Sequence, residues 1–241
     1  MHRHFSDRER RELALVFLKD EKRTPLALKY SLAFQLYPRF LEIDFLRDFL
    51  RRRVNSLLEY YNFGQILSLD EASAVIEVAK HVGVIDCWCR RRHSGDSEPY
   101  CLAIGAFSDF AEGIGSFKSQ LSIEEAKEFL RRMHSQNYFH SIWTLKTPFL
   151  STICSCDLIY CWGYRGRFKY GIEQALLRGH YYSTTNAEKC IGCKACIENC
   201  PFQARILKEG IAYVDVDKCM GCGLCVDKCE QAAITLKENI N

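Results

Sequence analysis

Fourteen cysteines are spread over 241 residues, and eight of them share one spacing. Cys190, Cys193, Cys196 and Cys200 follow C-x2-C-x2-C-x3-C, and Cys219, Cys222, Cys225 and Cys229 repeat it. Three thiolates spaced in this way wrap a tight loop around three corners of an iron–sulfide cube, with peptide N–H groups aimed at the sulfurs. Gly192, Gly221 and Gly223 suit such a loop, because glycine takes positive φ and lets the backbone come close. Zinc needs only four thiolates, usually as two separated Cys-x2-Cys pairs, so two triplets with trailing fourths leave too many thiolates for it. The spacing points to [4Fe-4S] clusters. A fully ligated cubane has no open iron, so its chemistry is a change of charge by one electron.

The repeat extends beyond the ligands. Glu188-Lys189 precedes the first set as Asp217-Lys218 precedes the second, and Ala204-Arg-Ile-Leu-Lys208 is echoed by Ala233-Ile-Thr-Leu-Lys237. With Pro201 after Cys200, this stretch resembles the bacterial-type dicluster 2[4Fe-4S] ferredoxins. The resemblance implies a small domain of short antiparallel strands and two short helices, in which the fourth cysteine of each half serves the other cluster. One cluster would then take Cys190, Cys193, Cys196 and Cys229, and the other Cys219, Cys222, Cys225 and Cys200. Glu230 stands where the pattern has proline, which removes a fixed φ but no ligand and bears on loop shape and potential.

The remaining cysteines form the sets Cys87, Cys89, Cys101 and Cys154, Cys156, Cys161, each opening with Cys-x-Cys. In an extended segment residues i and i+2 point the same way, so each Cys-x-Cys is a candidate two-thiolate hook. Either the hooks converge on a third centre, an Fe–S cluster or zinc, or these are partly buried free thiols. Cys87-Trp-Cys89-Arg90 and Cys154-Ser-Cys156-Asp157 also resemble segments of larger anaerobe iron–sulfur proteins with an upstream cysteine-bearing region. Arg90-Arg-Arg-His93 beside the first hook reads either as a basic neighbour to thiolates, His93 being a further candidate ligand, or as a solvated turn.

The expected architecture is α+β. Residues 1–64 read as a helical domain, from Ser6 with Glu9 as a capping box, Thr24-Pro25 as a helix start, and a helix over Phe40 to Tyr61. Residues 65–183 read as a helix-rich, cysteine-bearing middle domain, and 184–241 as the ferredoxin domain. The middle carries a weak repeat, either chance similarity between two amphipathic helices or a pseudo-duplication that brings the two Cys-x-Cys hooks together: Ser68 with Glu71 and Ser122 with Glu125 both have capping-box spacing. That alignment pairs Gly83 with Asn137 as left-handed helix ends and makes the two helices equal in length. The aromatic and basic stretch from Tyr160 to Tyr182 reads as packing around the metal-bearing core rather than as a nucleic-acid surface.

With 33 Lys+Arg against 30 Asp+Glu, the formal charge of +3 proposes neither nucleic acid nor an anionic membrane. Two clusters, each −2 with its thiolates, would turn +3 into −1. From Thr184 on, seven basic residues face eight acidic ones, which predicts an acidic electron-carrying end for a basic partner. No apolar run is long enough to span a bilayer and no signal peptide is read, so the expectation is a soluble, cytoplasmic protein with reduced thiols. No nucleotide fingerprint, P-loop or nucleophile elbow appears. The expected function is one-electron transfer between redox protein partners. The alternatives are an oxidoreductase whose six-cysteine region is the reactive site, and a module whose upstream thiols sense oxidant or metal.

Overall fold

The computed structural model describes residues 48–49, 51–56, 64–79, 81–95, 98–113, 116–146 and 149–239. Residues 48–49 and 51–56 are helical, and the remaining helical expectations for 1–63 lie outside the described residues.

From residue 64 the chain runs β1 (Gly64–Leu67), α1 (Leu69–Ala79), β2 (Val82–Ile85), α2 (Trp88–Ser94), β3 (Cys101–Ile104) and α3 (Ala106–Gly113). It continues through β4 (Phe117–Leu121), α4 (Ile123–Ser135), β5 (Phe139–Lys146) and β6 (Phe149–Cys156). The six strands form one sheet in the order β1-β5-β6-β3-β2-β4, every pair antiparallel. Two β-α-β-β units build it. Exchanging β1 with β4, β2 with β5 and β3 with β6 reverses the order and leaves it unchanged, a pseudo-twofold centred on the β3–β6 pair.

The helix-rich reading of the middle region does not place this sheet. All four residues of β2 and all four of β3 are buried, so neither strand alternates apolar with polar. Buried strands of four residues look like short apolar runs and leave no period to read. The repeat itself is present: Ser68 and Glu71 exchange capping-box bonds at 2.9 and 3.2 Å, and Ser122 and Glu125 do so at 2.8 and 3.3 Å. Its helix ends differ, however. Asn137 takes φ of 71° after α4, whereas Gly83 lies inside β2, where a Cβ would meet the Phe117 ring at 1.9 Å. The helices have 11 and 13 residues, so they are not equal in length.

Strand alternation sorts the side chains into two layers. Leu67, Val82, Val84, Leu102, Ile104, Ile142 and Ile153 face Ala72 and Ile76 of α1 and Ala126, Phe129, Leu130 and Met133 of α4. The other face carries Ile85, Cys87, Cys101 and Ala103 against Ala111 of α3. It also carries Ile66, Phe139 and Cys156. Cysteines therefore occupy the face opposite α1 and α4.

After β6 come α5 (Trp162–Tyr164), a π-helical turn over Arg165–Lys169 and a 3-10 turn over Glu173–Ala175. Leu177 then bridges to Gln65, which covers the outer edge of β1. The last part comprises β7 (Tyr181–Thr185), α6 (Ala195–Glu198), β8 (Arg205–Lys208), β9 (Ile211–Val214), α7 (Leu224–Asp227) and β10 (Ile234–Glu238). β7 pairs with β10 and β8 with β9, both antiparallel. Among the described residues no helix is long and apolar enough to cross a membrane.

Candidate iron–sulfur sites and a six-thiol pocket

The C-terminal repeat folds as two copies of one backbone path. Gly192 and Gly221 take φ of 69° and 80°, Lys194 and Gly223 take 69° and 81°, and Gln203 and Ala232 take 52° and 46°. Glycine is required at the first pair, where a Cβ would stand 2.3 Å from the Gly210 carbonyl or 2.2 Å from that of Tyr181. The amide of Ala204 donates to Cys200 Sγ at 3.3 Å, and that of Ala233 to Cys229 Sγ at 3.3 Å. Both turns close alike although only the first contains proline, so Glu230 does not alter the loop.

Two cavities of about 330 Å³ each, the space open to solvent included, lie within this repeat. Cys219, Cys222 and Cys225 line one of them together with Cys200 of the other half. Cys190, Cys193 and Cys196 line the second together with Cys229. Residues 183–230 match the family model of the 4Fe-4S dicluster domain. No curated protein matches the chain.

The dicluster domain offers each cavity four thiols, a positive-φ cradle and backbone N–H donors, the set a [4Fe-4S] group needs. Its two cavities are not equivalent. The one holding Cys200 is the inner: Cys219, Cys222 and Cys225 are buried, and burial pushes Cys222 well above the ordinary thiol range and Cys225 up to about 11. Cys222 and Cys225, so placed, stay protonated until a metal cation replaces the proton. The outer cavity opens to solvent, with Cys193 exposed and Ile191 67% exposed. There the amides of Ala212 and Gly192 hold the Cys190 thiol below its usual range. Lys194 and Lys228 line this outer cavity and no carboxylate does, so its lining is basic where the formal count predicts an acidic end.

The six upstream cysteines come together. Cys87 adjoins Cys89 and Cys101, Cys101 adjoins Cys154, and Cys154 adjoins Cys156, which adjoins Cys161. Cys161 in turn acts electrostatically on Cys89 and closes the ring. Cys101 and Cys154 face each other across β3 and β6, on the pseudo-twofold. Hydrogen bonds from neighbouring thiols hold Cys87 and Cys154 below the ordinary range and push Cys89, Cys101 and Cys156 well above it. Among the described residues no group of three or more His, Cys, Asp or Glu is placed to hold a single metal ion, the cysteines of the two cavities included.

The hooks are built differently. Cys154 and Cys156 lie on β6, as the extended reading requires, while Cys87 caps α2 and Cys89 lies within that helix. Arg90 and Asp157, which follow the hooks, form an ion pair. The guanidinium lies 3.8 Å from the Tyr100 ring centroid and 4.5 Å from that of Tyr160. Arg90 is thus a buried clamp between the hooks rather than a solvated turn. The side chain of His93 lies outside the described residues.

One apolar core joins the pocket to the inner cavity: Cys156 and Cys161 pack with Cys222, Met220, Leu224 and Phe202, together with Ile66, Phe139 and Leu176. Phe202 sits 5.2 Å from Phe139 and 5.7 Å from Phe168, ring centroid to centroid. The stretch after Tyr160 packs at this junction, as expected. At its margin His134 Nε2 lies 3.2 Å from Asp227 Oδ2, and Lys228 Nζ donates to the Ser135 carbonyl at 3.0 Å.

Proposed function

We propose that this chain is an electron-transfer protein with a direction built into it. Cys190, Cys193, Cys196 and Cys229 hold the outer [4Fe-4S] cluster, and Cys219, Cys222, Cys225 and Cys200 hold the inner one. The crosswise lining of the two cavities carries this assignment. When bound, each cluster supplies one-electron chemistry. The exposed Cys193 and Ile191 present the outer site to a redox partner protein, and Lys194 and Lys228 favour an acidic one. Leu224, Met220 and Phe202 keep water from the inner site and join it to the six thiols.

The six-thiol pocket is the inward terminus of this path and holds a third redox centre. Six adjoining thiols, more than a closed cubane uses, favour a reactive centre and therefore an oxidoreductase or a redox subunit. The full chain, purified anaerobically, is expected to contain about twelve iron and twelve sulfide, where two clusters alone would give about eight of each. Eight iron with one zinc would make the pocket structural, and eight iron with no other metal would leave it as free thiols. Either result would remove the third centre from the reading. Iron below one cubane after reconstitution would overturn the whole assignment. Cys87→Ser and Cys154→Ser should each remove a distinct spectroscopic signal and leave those of the dicluster domain unchanged.

A further inference from the structure

Arg205 opens β8 and is 3% exposed. Among the described residues no carboxylate lies within ion-pair distance of it, and its Nε is buried without a hydrogen-bond partner. Its other contacts place it between the two cysteine sets. Nη1 donates to Ser183 Oγ at 3.0 Å, while Nη2 donates to Thr185 Oγ1 at 2.6 Å and stands 3.9 Å from Sγ of Cys196, an outer-cavity thiol. The same arginine lines the inner cavity.

A buried cation without an anion is strongly unfavourable, and proteins keep one only where a negative group faces it. The duplication shows that the fold does not require it. At the equivalent position of the second half Ile234 lines the outer cavity, and the equivalent of Ser183 is Ala212, also in that lining. One half has a buried guanidinium and the hydroxyl that orients it, where the other has two apolar side chains.

We infer that Arg205 is the shared counter-charge of the two clusters, set between them to favour the reduced state of both. This inference rests on the two-cluster reading above. A [4Fe-4S] group with four thiolates carries −2 when oxidised and −3 when reduced, so a fixed positive charge stabilises the reduced form more. Ser183 and Thr185 position the guanidinium through the bonds given above, and its role is electrostatic.

The test is an anaerobic redox titration of the full chain followed by electron paramagnetic resonance, with iron and sulfide counted in every sample. Arg205→Gln is expected to keep its iron and to shift both cluster midpoints to lower potential. The reduced-to-oxidised ratio at fixed potential should fall at least about tenfold, about 59 mV for one electron. Arg205→Met keeps the apolar stem and serves as a second neutral variant should the glutamine variant lose its clusters. Arg205→Lys should restore most of the shift. Midpoints unmoved in an iron-replete neutral variant, or only one midpoint moved, would overturn the shared role. Wild-type iron short of two cubanes would instead refute the two-cluster reading, so the two failures are distinguishable.

Discussion

Replacing Asp157 by Asn tests whether the Arg90–Asp157 pair holds the two cysteine hooks together. The substitution removes one charge and little else. The amides of Ile159 and Tyr160 donate to Asp157 Oδ1 at 2.8 and 2.7 Å, and an amide oxygen still accepts both, though more weakly than a carboxylate, so the turn that returns the chain to Cys161 survives. Breaking a buried ion pair from one side costs about 3–5 kcal/mol, because the remaining charge is left uncompensated. The side chains here are 9% and 22% exposed, so water relieves little of that. Arg90 keeps its stacking on Tyr100 and Tyr160 in the variant as in the wild type, so the stacking does not offset the loss. A net loss of about 3–5 kcal/mol follows, which for a chain of this length lowers the melting temperature by about 6–20 °C. Differential scanning calorimetry on anaerobic protein reads it, and a double-mutant cycle with Arg90→Leu and Asp157→Leu isolates the pair. The six-thiol signal should weaken in Asp157→Asn while that of the dicluster domain stays. A loss below about 0.5 kcal/mol, or no coupling in the cycle, would show that the hooks are held by packing alone.

Gly221→Ala places a methyl group against the Tyr181 carbonyl at a φ that side chains avoid, so iron analysis should show about one cubane fewer with the middle-region signal retained. Retention of full iron would contradict the cradle described for the inner site. Burial and the neighbouring His134 depress His140 to about 3, so the folded chain keeps it neutral while the unfolded chain binds a proton below about pH 6.5. Stability from this group is complete above that pH and falls by roughly 1.4 kcal/mol per unit as pH drops towards 3. Urea midpoints between pH 7 and 5 should therefore decline in the wild type and less steeply in His140→Leu, and equal slopes would refute the assignment.

The dicluster domain was legible because its ligands are contiguous. Cys-x2-Cys-x2-Cys is a local instruction, and the positive-φ positions Gly192, Gly221 and Gly223 are marked by residue type. Lys194 was not marked, since it holds a left-handed conformation that residue type argues against. The sheet was illegible for the opposite reason. β1 pairs with β5 and β3 with β6, partners separated by long stretches of chain, and β2 and β3 have no exposed face to set a period. The hooks lay between these cases. Cys-x-Cys is visible in the sequence, and Arg90 and Asp157 directly follow the two hooks, but only the fold makes those two residues a pair. Arg205 lies within the echo of Ala204-Arg by Ala233-Ile, where the informative feature is the mismatch rather than the match.

The pseudo-twofold has a consequence for synthesis. Because Cys101 and Cys154 meet only where the two β-α-β-β units join, neither unit alone can close the ring of six thiols. As the chain is made, the first three cysteines wait without their partners until β6 and the turn after it have emerged. On the third-centre proposal, metal capture by these six thiols would be deferred until the middle domain has finished folding. The two cysteine sets of the dicluster domain are interlocked in the same way, each waiting on the other's fourth residue. On the cluster assignments proposed above, cofactor loading would be a late event, and a bound centre would certify that both halves around it are complete.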